Sequence, residues 1–66
     1  PMKPNEIRAE LLLKGIRPTM IASKLKVSRA AVSNVISGKF KSIRIQEEIA
    51  QLIDRTVEEI WPQWAA

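Results

Sequence analysis

The apolar residues of the chain fall in short groups at helical spacing, and Gly, Pro and cap-forming residues separate the groups. Ile7 and Leu11, with one of Leu12, Leu13 and Lys14, form the first stripe. Asn5 as N-cap, Glu6 in the first turn and Gly15 just past the end predict a helix over 5–14. A second helix starts at Pro18 or Thr19, with Met20 or Ile21, Ala22 and Leu25 facing inward. After "KVS", Ser28 caps a third helix over 29–37 that Gly38 closes. Its apolar positions, with Val27 ahead of it, are Val32, Val35 and Ile36, a helical face and not the alternation of a strand. Ser42 caps a fourth helix, "IRIQEEIAQLID", with Ile45, Ile49, Leu52 and Ile53 inward. Thr56 and Glu59 have the spacing of a capping box for a short fifth helix, "VEEIW", which Pro62 stops. The expected fold is all-α, a compact bundle of four to five helices with about ten core residues. Trp61 is expected to complete the core over the first and fourth helices, and Trp64 to lie in a frayed tail.

The third helix is unusual on its outer side. Solvated helix faces normally carry Glu and Lys, yet "KVSRAAVSNVISGK" carries Ser, Arg, Ala and Asn. The seven acidic residues all lie at the two ends of the chain, none between Leu11 and Gln46. That same window holds eight bases, Lys14, Arg17, Lys24, Lys26, Arg29, Lys39, Lys41 and Arg44. Solubility is served by mixed signs, so the segregation behind the net charge of +4 points to one positive face and a polyanionic partner.

Composition limits the alternatives. A chain of 66 residues is expected to form one domain with a modest core. It has no Cys and no His, which removes disulfides, the common zinc sites and the usual nucleophile–base pairs. The carboxylates form solvated helical pairs, Glu47-Glu48 and Glu58-Glu59, and no Gly-rich phosphate loop is present. No enzyme activity, cofactor, metal or small-molecule ligand is expected. The longest apolar runs, Leu11–Leu13 among them, are three residues, too short for a membrane span or a signal h-region. A cytoplasmic location is expected, and Met2, preceded by Pro1, reads as the natural start.

The segment "PTMIASKLKVSRAAVSNVIS" has the parts of a helix-turn-helix over about 18–37. Ala22 is small where two helices would cross, Val27 is apolar in the turn, and Val32 and Val35 are β-branched on the inner face. These positions suit a crossing of roughly 90–120°. The segment resembles the helix-turn-helix of the lambda-repressor and Cro class. It departs at Lys26, where the turn usually opens with a left-handed Gly; a non-Gly residue there costs about 1 kcal/mol.

"EIRAELLLKG", "TMIASKLKVSRAAVSNVI" and "EEIWPQW" together resemble the Ner family of small phage DNA-binding regulators, over residues 5–62. The most specific element is Ile60-Trp61-Pro62. The loop "GKFKS" departs from the family, which tends to carry Trp-Pro-Lys-Gly there. The resemblance implies a lambda-repressor-like fold and a repressor of a phage, prophage or mobile element that binds an inverted-repeat operator.

A recognition helix in the major groove explains the small outer residues, because Ala and Ser permit close approach and Glu would be repelled by phosphate. The base-contacting candidates are Ser28, Arg29, Ala30, Ser33, Asn34 and Ser37. Arg29 matches guanine O6 and N7, Asn34 matches adenine N6 and N7, and Ala30 offers a methyl to thymine. Ser28 and Ser33 are expected to reach a phosphate or, through water, a base. The phosphate-contacting candidates are Arg17, Thr19, Lys24, Lys26, Lys39, Lys41 and Arg44. Five neutralised phosphates imply a salt slope of roughly −4 to −5 per monomer. Two copies on half-sites a helical turn apart imply a homodimer on duplex DNA, with Ile43, Trp61 and Trp64 as the candidate dimer surface. The alternative is an antitoxin- or antirepressor-type module that binds a protein and keeps DNA binding for autoregulation, although the chain has little spare length to wrap a partner.

Overall fold

The computed structural model describes residues 1–64 as five α-helices and one 3-10 turn. The helices are α1 (Pro4–Leu13), α2 (Pro18–Leu25), α3 (Arg29–Ile36), α4 (Ile43–Leu52) and α5 (Val57–Ile60), and the 3-10 turn is Pro62–Trp64. No strand occurs among the described residues. The protein is all-α.

Local chemistry sets most helix starts. Ser28 Oγ accepts from the Ala31 N–H at 3.0 Å, and Ser42 Oγ accepts from the Ile45 N–H at 3.4 Å. Thr56 and Glu59 form the reciprocal capping box, at 3.1 Å and 3.0 Å. The first helix starts earlier than expected. Asn5 lies inside it and Lys3 is the N-cap residue, because Pro4 takes the first helical position, where its missing N–H costs nothing. Lysine has no acceptor, so only half a capping box forms: Glu6 reaches back to the Lys3 N–H at 2.7 Å.

The first four helices all end in the same way. A residue with positive φ follows each helix, and the next N–H bonds back to the carbonyl five residues earlier. These closing bonds are Ile16 N–H to Leu11 O at 2.9 Å, Val27 to Ala22 at 3.0 Å, Lys39 to Asn34 at 2.9 Å and Arg55 to Ala50 at 2.9 Å. Two of the four left-handed residues are Gly15 and Gly38; the other two are Lys26 (φ 58°) and Asp54 (φ 57°). A side chain there is strained, so Lys26→Gly should stabilise the fold by about 0.5–1 kcal/mol. For a domain of this size that raises the thermal midpoint by roughly 2–8 °C. A circular-dichroism melt in which the midpoint fell would show that the Lys26 side chain makes stabilising contacts that outweigh the strain.

One apolar cluster joins the helices. It contains Ile7 and Leu11 from α1, Ile21 and Ala22 from α2, Val32, Val35 and Ile36 from α3, and Ile45, Ile49 and Ala50 from α4. Ile53, Ile60 and Trp61 close it. Of the residues offered as alternatives for α1 and α2, Ile21 is buried, and Leu12, Leu13 and Met20 are exposed. The stripe of α1 is therefore only two residues wide. Leu25, Val27, Leu52 and Trp64 pack at the edge of the cluster. Gln46 is a polar member of the interior, 2% exposed, and its Nε2 has no hydrogen-bond partner, nor do the indole N–H groups of Trp61 and Trp64.

A polar tie joins α1 to the turn after α4. Arg55 grips Glu10 of α1 with two bonds, at 2.8 Å and 3.3 Å. These bonds, and then the Glu10 charge, raise the Arg55 pKa further above its already high value. The pair is solvent-accessible, so water and salt screen it. The Glu59 carboxyl is held below the usual carboxylate range, first by the Thr56 backbone N–H and then by the Thr56 hydroxyl. Its folded pKa lies below its unfolded one. Its stabilising contribution is therefore complete above the unfolded value and fades as pH falls through the folded value. Between about pH 6 and pH 3 the melting temperature should drop less in Glu59→Gln than in the unaltered chain. Parallel curves for the two proteins would show that the cap is not coupled to folding.

Candidate nucleic-acid interface

The α2–α3 pair is held at its turn by three devices. Lys26 takes the left-handed conformation (φ 58°, ψ 46°) that ends α2. Val27 sits against the apolar cluster, and the Ser28 hydroxyl caps α3. Inside the pair, Ala22, Val32 and Val35 are buried. The inner face of α3 is thereby fixed, and the outer face follows from it.

Arg29, Ala30 and Asn34 are exposed on that outer face, as is Ser28 at its start. Neither guanidinium nor amide of Arg29 and Asn34 makes a side-chain hydrogen bond among the described residues. Their donors and acceptors are free. Ser33 differs: it is half-buried, and its Oγ accepts a hydrogen bond from Arg8 Nη2 of α1 at 3.2 Å. Ser37 is the C-cap residue of α3 and half-buried, lining a separate concavity with Met2, Lys3 and Trp61. Of the six expected base-facing residues, Arg29, Ala30 and Asn34 are open, Ser28 is exposed with its hydroxyl capping α3, Ser33 is bonded to Arg8, and Ser37 is half-buried beside the separate concavity.

The cations divide similarly. Arg17, the N-cap residue of α2, and Thr19 in its first turn are exposed beside α3. Lys26, Lys39 and Lys41 are exposed. Lys24 differs: its ammonium pairs with Glu48 at 2.7 Å, joining α2 to α4. The acid responsible lies outside the acid-free window, but the bundle folds it back onto α2. Arg44 donates to the Leu25 carbonyl at 3.1 Å, satisfying a carbonyl at the end of α2. One guanidinium N–H is used there, and Arg44 is otherwise exposed.

Arg8 was missing from the expectation. It lies one helical step from Ile7, outside the acid-free window, and in the fold it reaches α3. Arg8, Arg17, Thr19, Arg29, Ala30 and Ser33 line one shallow cleft, which has no carboxylate in its wall. The signal available in the sequence was its place beside the buried Ile7–Leu11 stripe, where a long side chain can pass over a neighbouring helix.

The candidate dimer surface needs correction. Trp61 is 1% exposed and belongs to the interior, so it offers no face to a partner. Trp64 is not in a frayed tail: it forms the 3-10 turn and packs half-buried against the core. Ile43 alone of the three stands out, 63% exposed at the start of α4.

No helix is long and apolar enough to cross a membrane, and no acidic cluster suited to a metal ion occurs among the described residues. Comparisons with protein-family models, curated proteins and solved structures returned no match.

Proposed function

We propose that the chain is a sequence-specific duplex-DNA-binding regulator of transcription, a repressor by its resemblance to the Ner family, with α3 as the helix that enters the major groove. The observation that carries this reading is the outer edge of α3. Arg29, Ala30 and Asn34 are open there, the residues between them are small, and the adjoining cleft is lined by arginines without an acid. Groove entry requires that combination of low bulk, free hydrogen-bonding groups and positive surroundings. Arg17, Thr19, Lys26, Lys39, Lys41 and Arg44 supply phosphate contacts on both sides of α3. An eight-residue helix reads only a few base pairs, so a homodimer on an inverted repeat is the expected working form.

The test is selection of bound duplexes from a random-sequence library, followed by sequencing. Enrichment of an inverted repeat with guanine and adenine in each half is the expected result. Salt-sensitive binding without enrichment would leave a non-specific anchor and end the regulatory reading. A second reading, a protein-binding module with autoregulatory DNA contacts, draws on the exposed apolar residues Leu12, Leu13, Met20, Phe40 and Ile43.

A further inference from the structure

The cleft between α1, the start of α2 and α3 gathers three guanidinium groups, those of Arg8, Arg17 and Arg29. None of the three is in an ion pair among the described residues; the pairs found there use Lys24 and Arg55. Three like charges around one concavity repel one another, and an anion seated among them relieves the repulsion. Thr19 adds a hydroxyl and lies in the first turn of an eight-residue helix, where its own N–H has no intrahelical partner; Pro18 has no N–H and the Met20 N–H bonds to the Arg17 carbonyl at 2.9 Å. The bond from Arg8 to Ser33 Oγ holds the Arg8 side chain across the gap from α1 to α3. It uses one of five N–H donors, so the remainder of the fork is available to an oxyanion.

We propose that this cleft seats one backbone phosphodiester of the bound duplex, held by Arg8 and Arg17, with Ser33 acting as the positioning residue for Arg8. The inference rests on the proposed DNA-binding function and deepens it. It adds a contact from α1, a helix that the distribution of charge along the chain had left out. It also reassigns Ser33 from reading a base to orienting an arginine. Arg29, at the cleft mouth on the first position of α3, remains free to turn into the groove.

The experiment is a salt titration of the full chain on its selected duplex, in parallel with Arg8→Gln, Arg8→Gln combined with Arg17→Gln, Arg8→Lys and Ser33→Ala. Thermal melts of each variant establish that it is folded. Arg8→Gln should weaken binding roughly tenfold, and Arg8→Gln combined with Arg17→Gln should reduce the slope of log K against log salt by about 0.9, the share of one phosphate. Both effects should be equal for the selected duplex and for single-base variants of it. Arg8→Lys keeps the charge and should leave the slope unchanged, with only part of the affinity. Ser33→Ala should weaken binding by a smaller factor and leave the preferred sequence unchanged. An unchanged affinity in folded Arg8→Gln or an unchanged slope in the folded double variant would overturn the proposal, and so would a changed base preference in Ser33→Ala. Failure of the unaltered chain to bind any duplex would instead overturn the functional reading, and the inference with it.

Discussion

Trp61→Ala should abolish cooperative folding. Trp61 is 1% exposed and is the largest side chain in an interior that is otherwise aliphatic apart from Gln46. Removing a buried tryptophan to the β-carbon costs about 3–5 kcal/mol, partly in lost transfer energy and partly in the cavity left behind. A domain of 66 residues has a total stability of about 3–10 kcal/mol at typical values per residue. The two quantities are of the same size, and no disulfide or metal-ligating Cys or His is present to make up the difference. The variant should show little or no sigmoidal transition by circular dichroism, with reduced helicity at room temperature. Trp64→Ala provides the comparison, because Trp64 is only half-buried and sits on the core from outside. Its loss should lower the midpoint and preserve the transition. A Trp61→Ala protein that melted like the unaltered chain would mean that the C-terminal turn is not part of the folding unit.

The burial of Trp61 also bears on how the sequence can be read. Caps at Ser28, Ser42 and Thr56 were legible because a hydroxyl three residues before an N–H is a local relationship. The left-handed turn at Lys26 was legible from the motif, despite the lysine. Asn5 is a good N-cap by composition, but Pro4 takes the first helical position, a preference that is equally local. The inward faces of α3 and α4 followed from periodicity, but Gln46 did not, since burial of an amide depends on what the rest of the bundle places over it. The run Leu11–Leu13 gave no means of telling that only Leu11 would be covered.

The candidate site divides along the same line. Arg29, Ala30 and Asn34 face outward because Val32 and Val35 face inward, and one helical repeat decides both. Arg8–Ser33 and Lys24–Glu48 join residues 25 and 24 positions apart. Neither can be read from spacing within one helix. Charge segregation along the chain therefore gives no sign that Lys24 pairs with Glu48 or that Arg8 lies in the cleft. A window free of acids in sequence is not the same surface as a cleft free of acids in space.

Arg29→Ala should remove sequence discrimination at a single base pair while leaving the fold intact. Arg29 is the first residue of α3, exposed, and without a side-chain hydrogen bond or ion pair among the described residues. An alanine at such a position changes stability by no more than about 0.5 kcal/mol, so a binding defect cannot be ascribed to unfolding. Under the proposed function its fork spans O6 and N7 of one guanine, and a bidentate contact of that kind discriminates by about 1–3 kcal/mol. In dissociation constants that is roughly a 5- to 150-fold difference between the preferred duplex and one altered at that pair. The variant should bind both duplexes alike, at the affinity the unaltered protein has for the altered one. Lys41→Ala is the control, because an exposed loop lysine should act on phosphate. It should weaken all duplexes by a similar factor and reduce the salt slope by about 1. Titrations of both proteins against the same duplex panel separate the two behaviours. If Arg29→Ala weakened every duplex equally and Lys41→Ala altered the preference, the groove-facing side of the molecule would be the α3–α4 loop and not the outer edge of α3.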